Sequence, residues 1–107
     1  MAAFMVQFSY TEQGAKGLLK EGGSKRREAT EQLIKSLGGK LVAYYFAFGE
    51  YDGLAIVEGV DNIDAAAAAL IVGASGAVKT MTTVLMTPDE VDKAAHKSGN
   101  YRAPGQQ

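Results

Sequence analysis

The chain predicts an α+β fold, with four strands and two long helices in the order β-α-β-β-α-β and a short terminal helix. Three observations point there. Apolar stretches of strand character open the chain and recur three times. Between them lie two segments of helical character, each preceded by a capping residue. The 107 residues, 47% hydrophobic and 21% charged, suffice for one core.

Phe4, Val6, Phe8 and Tyr10 alternate with Met5, Gln7 and Ser9, the period of a strand with one strongly apolar face. Gly14, Gly17, Gly22 and Gly23 then interrupt regular patterning, so Thr11 to Gly23 reads as a loop with one helical turn at Gly17–Lys20. Ser24 is a good N-cap, Ala29, Leu33, Ile34 and Leu37 share one helical face, and Gly38-Gly39 stops the helix, which spans 25–37. Leu41 to Phe48 forms a second strand and Leu54 to Val57 a third, joined by a hairpin turn at Gly49-Glu50-Tyr51-Asp52-Gly53. Asp61 caps the next helix, Asp64 lies in its first turn, the alanines of 65–69 propagate it, and Ala74-Ser75-Gly76 ends it. Val78 to Met86 is the fourth strand. Thr87 as N-cap, Pro88 at the first helical position and Glu90 in a capping box start a helix reaching about Lys97. The domain thus runs 1–97, and 98–107 is a flexible tail. This order is the ferredoxin-like one, a four-stranded antiparallel sheet with two helices on one face.

Composition excludes several function classes. Without cysteine there is no disulfide framework, thiolate metal site or cysteine nucleophile. A net charge of −1 supplies no field for nucleic acid or an anionic membrane. Met1 to Tyr10 lacks the basic start of a signal peptide, and the longest apolar run, Ala65 to Ala74, is too short to span a bilayer. The expectation is a cytoplasmic protein with no nucleic-acid or membrane partner.

Helices on one side of a sheet leave the other side bare, and in a monomer that side should read polar. Here it does not. Strict alternation sends Leu41, Ala43, Tyr45 and Ala47 one way and Val42, Tyr44, Phe46 and Phe48 the other, so both faces are apolar. Strands three and four repeat this, with Ala55 and Val57 opposite Leu54 and Ile56, and Val78, Val84 and Met86 opposite Met81 and Leu85. An apolar face of this kind marks an interface, and the terminal segment offers only Val91, Ala94, Ala95 and Tyr101 as cover. The expected partner is a second copy of the chain, packed sheet to sheet as a homodimer or within a higher homo-oligomer.

Phe46-Ala47-Phe48-Gly49-Glu50-Tyr51-Asp52 resembles the signature of the GYD domain family of small bacterial proteins. The resemblance extends over about residues 3–95, through Gly17 to Arg27, Gly38-Gly39-Lys40-Leu41, Ala74 to Val78 and Thr82 to Pro88. It implies a dimeric α/β barrel and no established reaction. Relatives sharing that fold include monooxygenases, haem-degrading enzymes, lactone isomerases and the effector domains of AsnC-type regulators. Gly76-Ala77-Val78-Lys79-Thr80-Met81-Thr82 loosely resembles a motif of the last group. The function expected is a non-catalytic homo-oligomeric module, structural or binding a small ligand. The alternatives are a small dimeric-barrel enzyme, monooxygenase or haem-related, and a stand-alone effector domain.

The candidate ligand-binding residues are Glu50, Tyr51, Asp52, Tyr44, Thr80 and Thr82. The first three would line the mouth of a cleft between subunits and recognise an amine or hydroxyl. The simpler role for Asp52 is to bond local backbone N–H groups while Gly49 and Gly53 shape the turn with positive φ. Tyr10, Tyr44 and Tyr45 offer phenols, and Thr80 and Thr82 share one strand face. His96 is the only histidine and sits at a helix end, which excludes a two-histidine metal site within one chain. Lys25-Arg26-Arg27 with Glu28 and Glu31 reads as a solvated, self-compensating face. No nucleophilic triad, paired-carboxylate site, metal or cofactor is expected.

Overall fold

A computed structural model describes residues 3–47 and 49–106. Eight elements follow one another: β1 (Ala3–Tyr10), α1 (Glu12–Glu21), α2 (Gly23–Ser36), β2 (Lys40–Phe46), β3 (Gly53–Glu58), α3 (Asn62–Ala74), β4 (Val78–Leu85) and α4 (Pro88–Ala95). The strands form one antiparallel sheet in the order β2-β3-β1-β4, the ferredoxin-like arrangement expected. Phe48, assigned by pattern to the end of the second strand, lies outside the described residues.

The core forms where α2 and α3 cover one face of this sheet. Phe4, Leu41, Ala55 and Val57 project from the strands and meet Ile34 of α2 and Val60 of the β3–α3 connection, with Ala65 and Ala68 of α3 packed against them. Helix ends are fixed as the sequence implies. Asp61 and Asp64 form a reciprocal capping box, as do Thr87 and Glu90. At the end of α2, Gly38 takes φ of 85° and the Gly39 N–H donates to the Ile34 carbonyl at 2.9 Å, which closes the last turn.

Three local readings are corrected. Thr11 to Gly23 is not a loop: Thr11 accepts from the Gly14 N–H and starts the ten-residue helix α1. Gly14 is the residue that allows it, since a Cβ there would collide with the Ala77 carbonyl and the Tyr10 ring. Ser24 is not an N-cap. Gly22 occupies that position at φ 86°, and Ser24 lies inside α2.

The third correction concerns the facing of β2. Leu41 pairs with Val57 but Ala43 pairs with Ile56, so Val42 is an extra residue in a β-bulge. The bulge moves the pattern by one residue. Leu41 and Tyr44 therefore share the helix-covered face, whereas unbroken alternation placed them on opposite sides. Val42, Ala43 and Tyr45 belong to the other, open face.

On that open face Tyr45, Leu54, Gln7 and Met81 form one row across the sheet, and Ala43, Ile56, Met5 and Thr83 the next. No helix among the described residues covers them: Tyr45 is 66% exposed, Val42 and Met81 each 46%. Helix α4 does not fold back over them either. All its residues except Glu90 are exposed, Val91 by 50%. The segment after α4 contains no helix or strand among its described residues. The radius of gyration is 17.3 Å and the longest extent 60 Å, against about 13 Å for the radius of a compact chain of this length. Accessible surface is 7763 Å², about 2,000 Å² more than a compact monomer of this mass exposes. No helix among the described residues is long and apolar enough to cross a membrane.

Candidate functional site

Between the sheet and helices α2 and α3 lies a chamber of about 80 Å³. Its strand wall follows from period-two alternation: Phe4, Val6, Phe8 and Tyr10 of β1 all point into it, flanked by Val78, Thr80 and Thr82 of β4. Its helix wall follows from the 3.6 period. Arg26, Thr30, Leu33, Ile34 and Leu37 fall on one stripe of α2. Alanines 65, 68 and 69 of α3 complete the wall, Ala65 and Ala68 packing against the core with side chains small enough to leave space beside them.

The chamber is largely apolar, with Thr80, Thr82 and Asp64 in its walls and a polar cluster toward one end. Tyr44 projects there from β2, stacked on Phe8 at 5.3 Å between centroids and edge-on to Phe46 at 5.4 Å. Burial pushes the Tyr44 phenol well above its ordinary value, the neighbouring Tyr10 phenol adds to the shift, and Thr30 and Arg26 oppose it. Tyr44 is therefore a neutral hydrogen-bonding group at any physiological pH. The Thr30 hydroxyl donates to the Arg26 carbonyl at 3.1 Å, tying the polar end to the α2 backbone.

A second, wider space of about 370 Å³ opens beside it between α1 and α3. Tyr10, Arg26, Val72 and Val78 line both, so the two are adjoining rooms with these four residues at the threshold. Arg26 meets Glu21 across this outer space at 3.7 Å, a single long contact.

The six sequence candidates thus separate. Tyr44, Thr80 and Thr82 line the chamber. Glu50, Tyr51 and Asp52 do not, because the β2–β3 hairpin carries them elsewhere. Asp52 closes the end of the sheet: its Oδ2 accepts from the Tyr10 N–H at 2.7 Å, its N–H donates to the Phe8 carbonyl at 2.8 Å, and its carbonyl accepts from Ala47 at 2.8 Å. Its carboxylate partner is 42 residues away in sequence, not in the turn. Tyr51 lies on the open face, its hydroxyl 3.6 Å from the Met81 sulfur, and Glu50 is exposed.

Gly49 and Gly53 are not among the positive-φ glycines of the described residues. Gly53 is required for another reason. It is buried in β3, where a Cβ would run into the Phe8 ring and the Tyr45 carbonyl. His96 caps α4 at its C-terminus, exposed, with Nδ1 2.7 Å from the Asp92 carbonyl.

Arg26 is the chamber residue that pattern reading missed. The basic triplet was read as a solvated face, and Arg27 does pair with Glu31 at 3.6 Å on the outside. The signal was present, since Arg26 and Thr30 lie two turns and one turn before Leu33 and Ile34 on the apolar stripe. Ala29, assigned to that stripe, is exposed instead.

The model of the GYD domain matches residues 4–95, and the chain belongs to that family. A similar curated protein is the glutamine synthetase and cystathionine beta-lyase binding protein of Thermus thermophilus. It is 35% identical over 82 residues, which cover 77% of this chain and 85% of that protein. No solved structure matches the chain significantly.

Proposed function

We propose that this GYD-domain chain is a homodimeric protein-binding module that docks on an enzyme of amino-acid metabolism, glutamine synthetase being the first candidate. The observation that carries the reading is the pair of unpartnered apolar surfaces, the open sheet face and the projecting α4. The name of the Thermus relative supports a protein-binding role and supplies the candidate enzymes. Such a partner would place the module in the cytoplasm.

The two surfaces differ in kind. The open face is broad and apolar at its centre, with Met5, Tyr45, Leu54, Ile56 and Met81 in adjoining rows and Lys40, Glu58 and Lys79 at its ends. It suits an identical face, since two such sheets pack about 10 Å apart and bury both. Helix α4 carries Val91, Ala94 and Ala95 on one stripe and Asp89, Glu90 and Asp92 beside it. A short amphipathic helix standing clear of its domain fits an apolar groove on another protein.

The test uses purified protein and glutamine synthetase of the same organism in titration calorimetry and size-exclusion chromatography. A saturable complex is expected, abolished by Val91→Asp while the subunit count of the module stays at two. Absence of a complex at micromolar concentrations of active enzyme contradicts the reading.

A further inference from the structure

We propose that the chamber between the sheet and helices α2 and α3 binds a small carboxylic acid, its carboxylate on Arg26 and its short branched hydrocarbon part in the apolar interior. Nothing in the proposed docking on an enzyme requires this site, and it stands or falls separately.

Three observations lead there. First, about 80 Å³ is several times the roughly 10–15 Å³ that admits one water. Its walls, with Val6, Val57, Leu33 and Ala68 among them, give water few hydrogen bonds. A branched alkyl group fits such a space, and its transfer from water is favourable by area alone. Second, the chamber adjoins an outer room of about 370 Å³, so a ligand has an approach between α1 and α3.

Third, the positive charge of these walls lies at the threshold. Arg26 is the one cation lining either room among the described residues. Two carboxylates share these walls. Glu21 touches Arg26 at a single 3.7 Å contact, which leaves most of the guanidinium fork free. Asp64 is turned to its own helix, accepting from the Asp61 N–H at 3.3 Å. The net preference at Arg26 is for an anion with a planar, two-oxygen head, and a carboxylate matches its paired N–H groups. The Tyr10 and Tyr44 phenols line the chamber with Arg26 and engage each other there.

Two sources share this chemistry, a simple branched acid and the corresponding α-amino acid, whose ammonium would meet Glu21. Methyl-labelled protein titrated with 3-methylbutanoate, leucine and the neutral isostere 3-methylbutan-1-ol separates them. The expected result is saturable shifts at Val6, Val57 and Leu33 methyls, with at least one acid binding about tenfold or more tighter than the alcohol. Leucine tighter than 3-methylbutanoate assigns the amino acid, and the reverse order the simple acid. In folded Arg26→Gln that advantage over the alcohol disappears. No saturable shift at millimolar acid, or equal binding of acid and alcohol to the natural protein, overturns the proposal.

Discussion

The two faces of the one sheet are built from neighbouring residues and meet opposite fates. Phe4 is 3% exposed beneath α2 and α3, while Tyr45, also aromatic and two strands away, is 66% exposed on the reverse side. A phenolic hydroxyl alone does not account for so large a difference. The difference lies in supply, because a β-α-β-β-α-β chain brings both long helices to the same side of its sheet. An apolar reverse face in such a fold is therefore left uncovered by the chain's own long helices.

The comparison breaks hardest at the covered face. Phe4→Ala should cost about 3–5 kcal/mol in urea unfolding, because the ring is buried among residues that can close the gap only in part. Met5→Ala, its neighbour on the open face, should cost less than about 1 kcal/mol when both are measured in a monomeric background. Equal losses would erase the distinction between the faces. Next in size is Gly53→Ala, whose added methyl displaces the Phe8 ring or the β2 backbone, for a loss of about 1–3 kcal/mol.

Asp52 sharpens the same comparison at the end of the sheet. Asp52→Ala strands the Tyr10 N–H and should cost about 1–2 kcal/mol, whereas Asp52→Asn keeps an acceptor and should lose less than half of that. A purely ligand-binding Asp52 would leave both variants as stable as the parent. The smallest effect is expected in α4. The Thr87 N–H and hydroxyl hold the Glu90 carboxyl below the usual carboxylate range, so its contribution is complete above that range. It is lost as pH falls through the lowered value, and the helix should fray from Thr87 onward while the sheet stays intact. Amide shifts of Thr87 and Glu90 against pH report this directly.

Most of the fold was legible in the sequence because strands, caps and stops announce themselves locally. Thr87-Pro88 with Glu90, and Asp61 with Asp64, specify helix starts through hydrogen bonds three residues apart. What was not legible depends on contacts distant in sequence. Helix α1 was hidden because Gly14 and Gly17 depress helix propensity, and Gly14 is explained only by its approach to Ala77. The bulge at Val42 leaves an unbroken apolar run, so nothing in β2 alone reveals that Leu41 and Tyr44 face the same way. Of the site, Tyr44, Thr80 and Thr82 could be named from residue type and face. That Arg26 joins them, and that Asp52 serves Tyr10, emerges only once β1 and α2 lie side by side.

The claim on which the rest depends is that a second copy covers the open face. Sedimentation equilibrium on the natural protein and on Tyr45→Glu at micromolar concentration tests it most directly, with circular dichroism to establish that both are folded. A dimer that becomes a folded monomer in Tyr45→Glu is the predicted result. A natural protein that sediments as a stable monomer would contradict it.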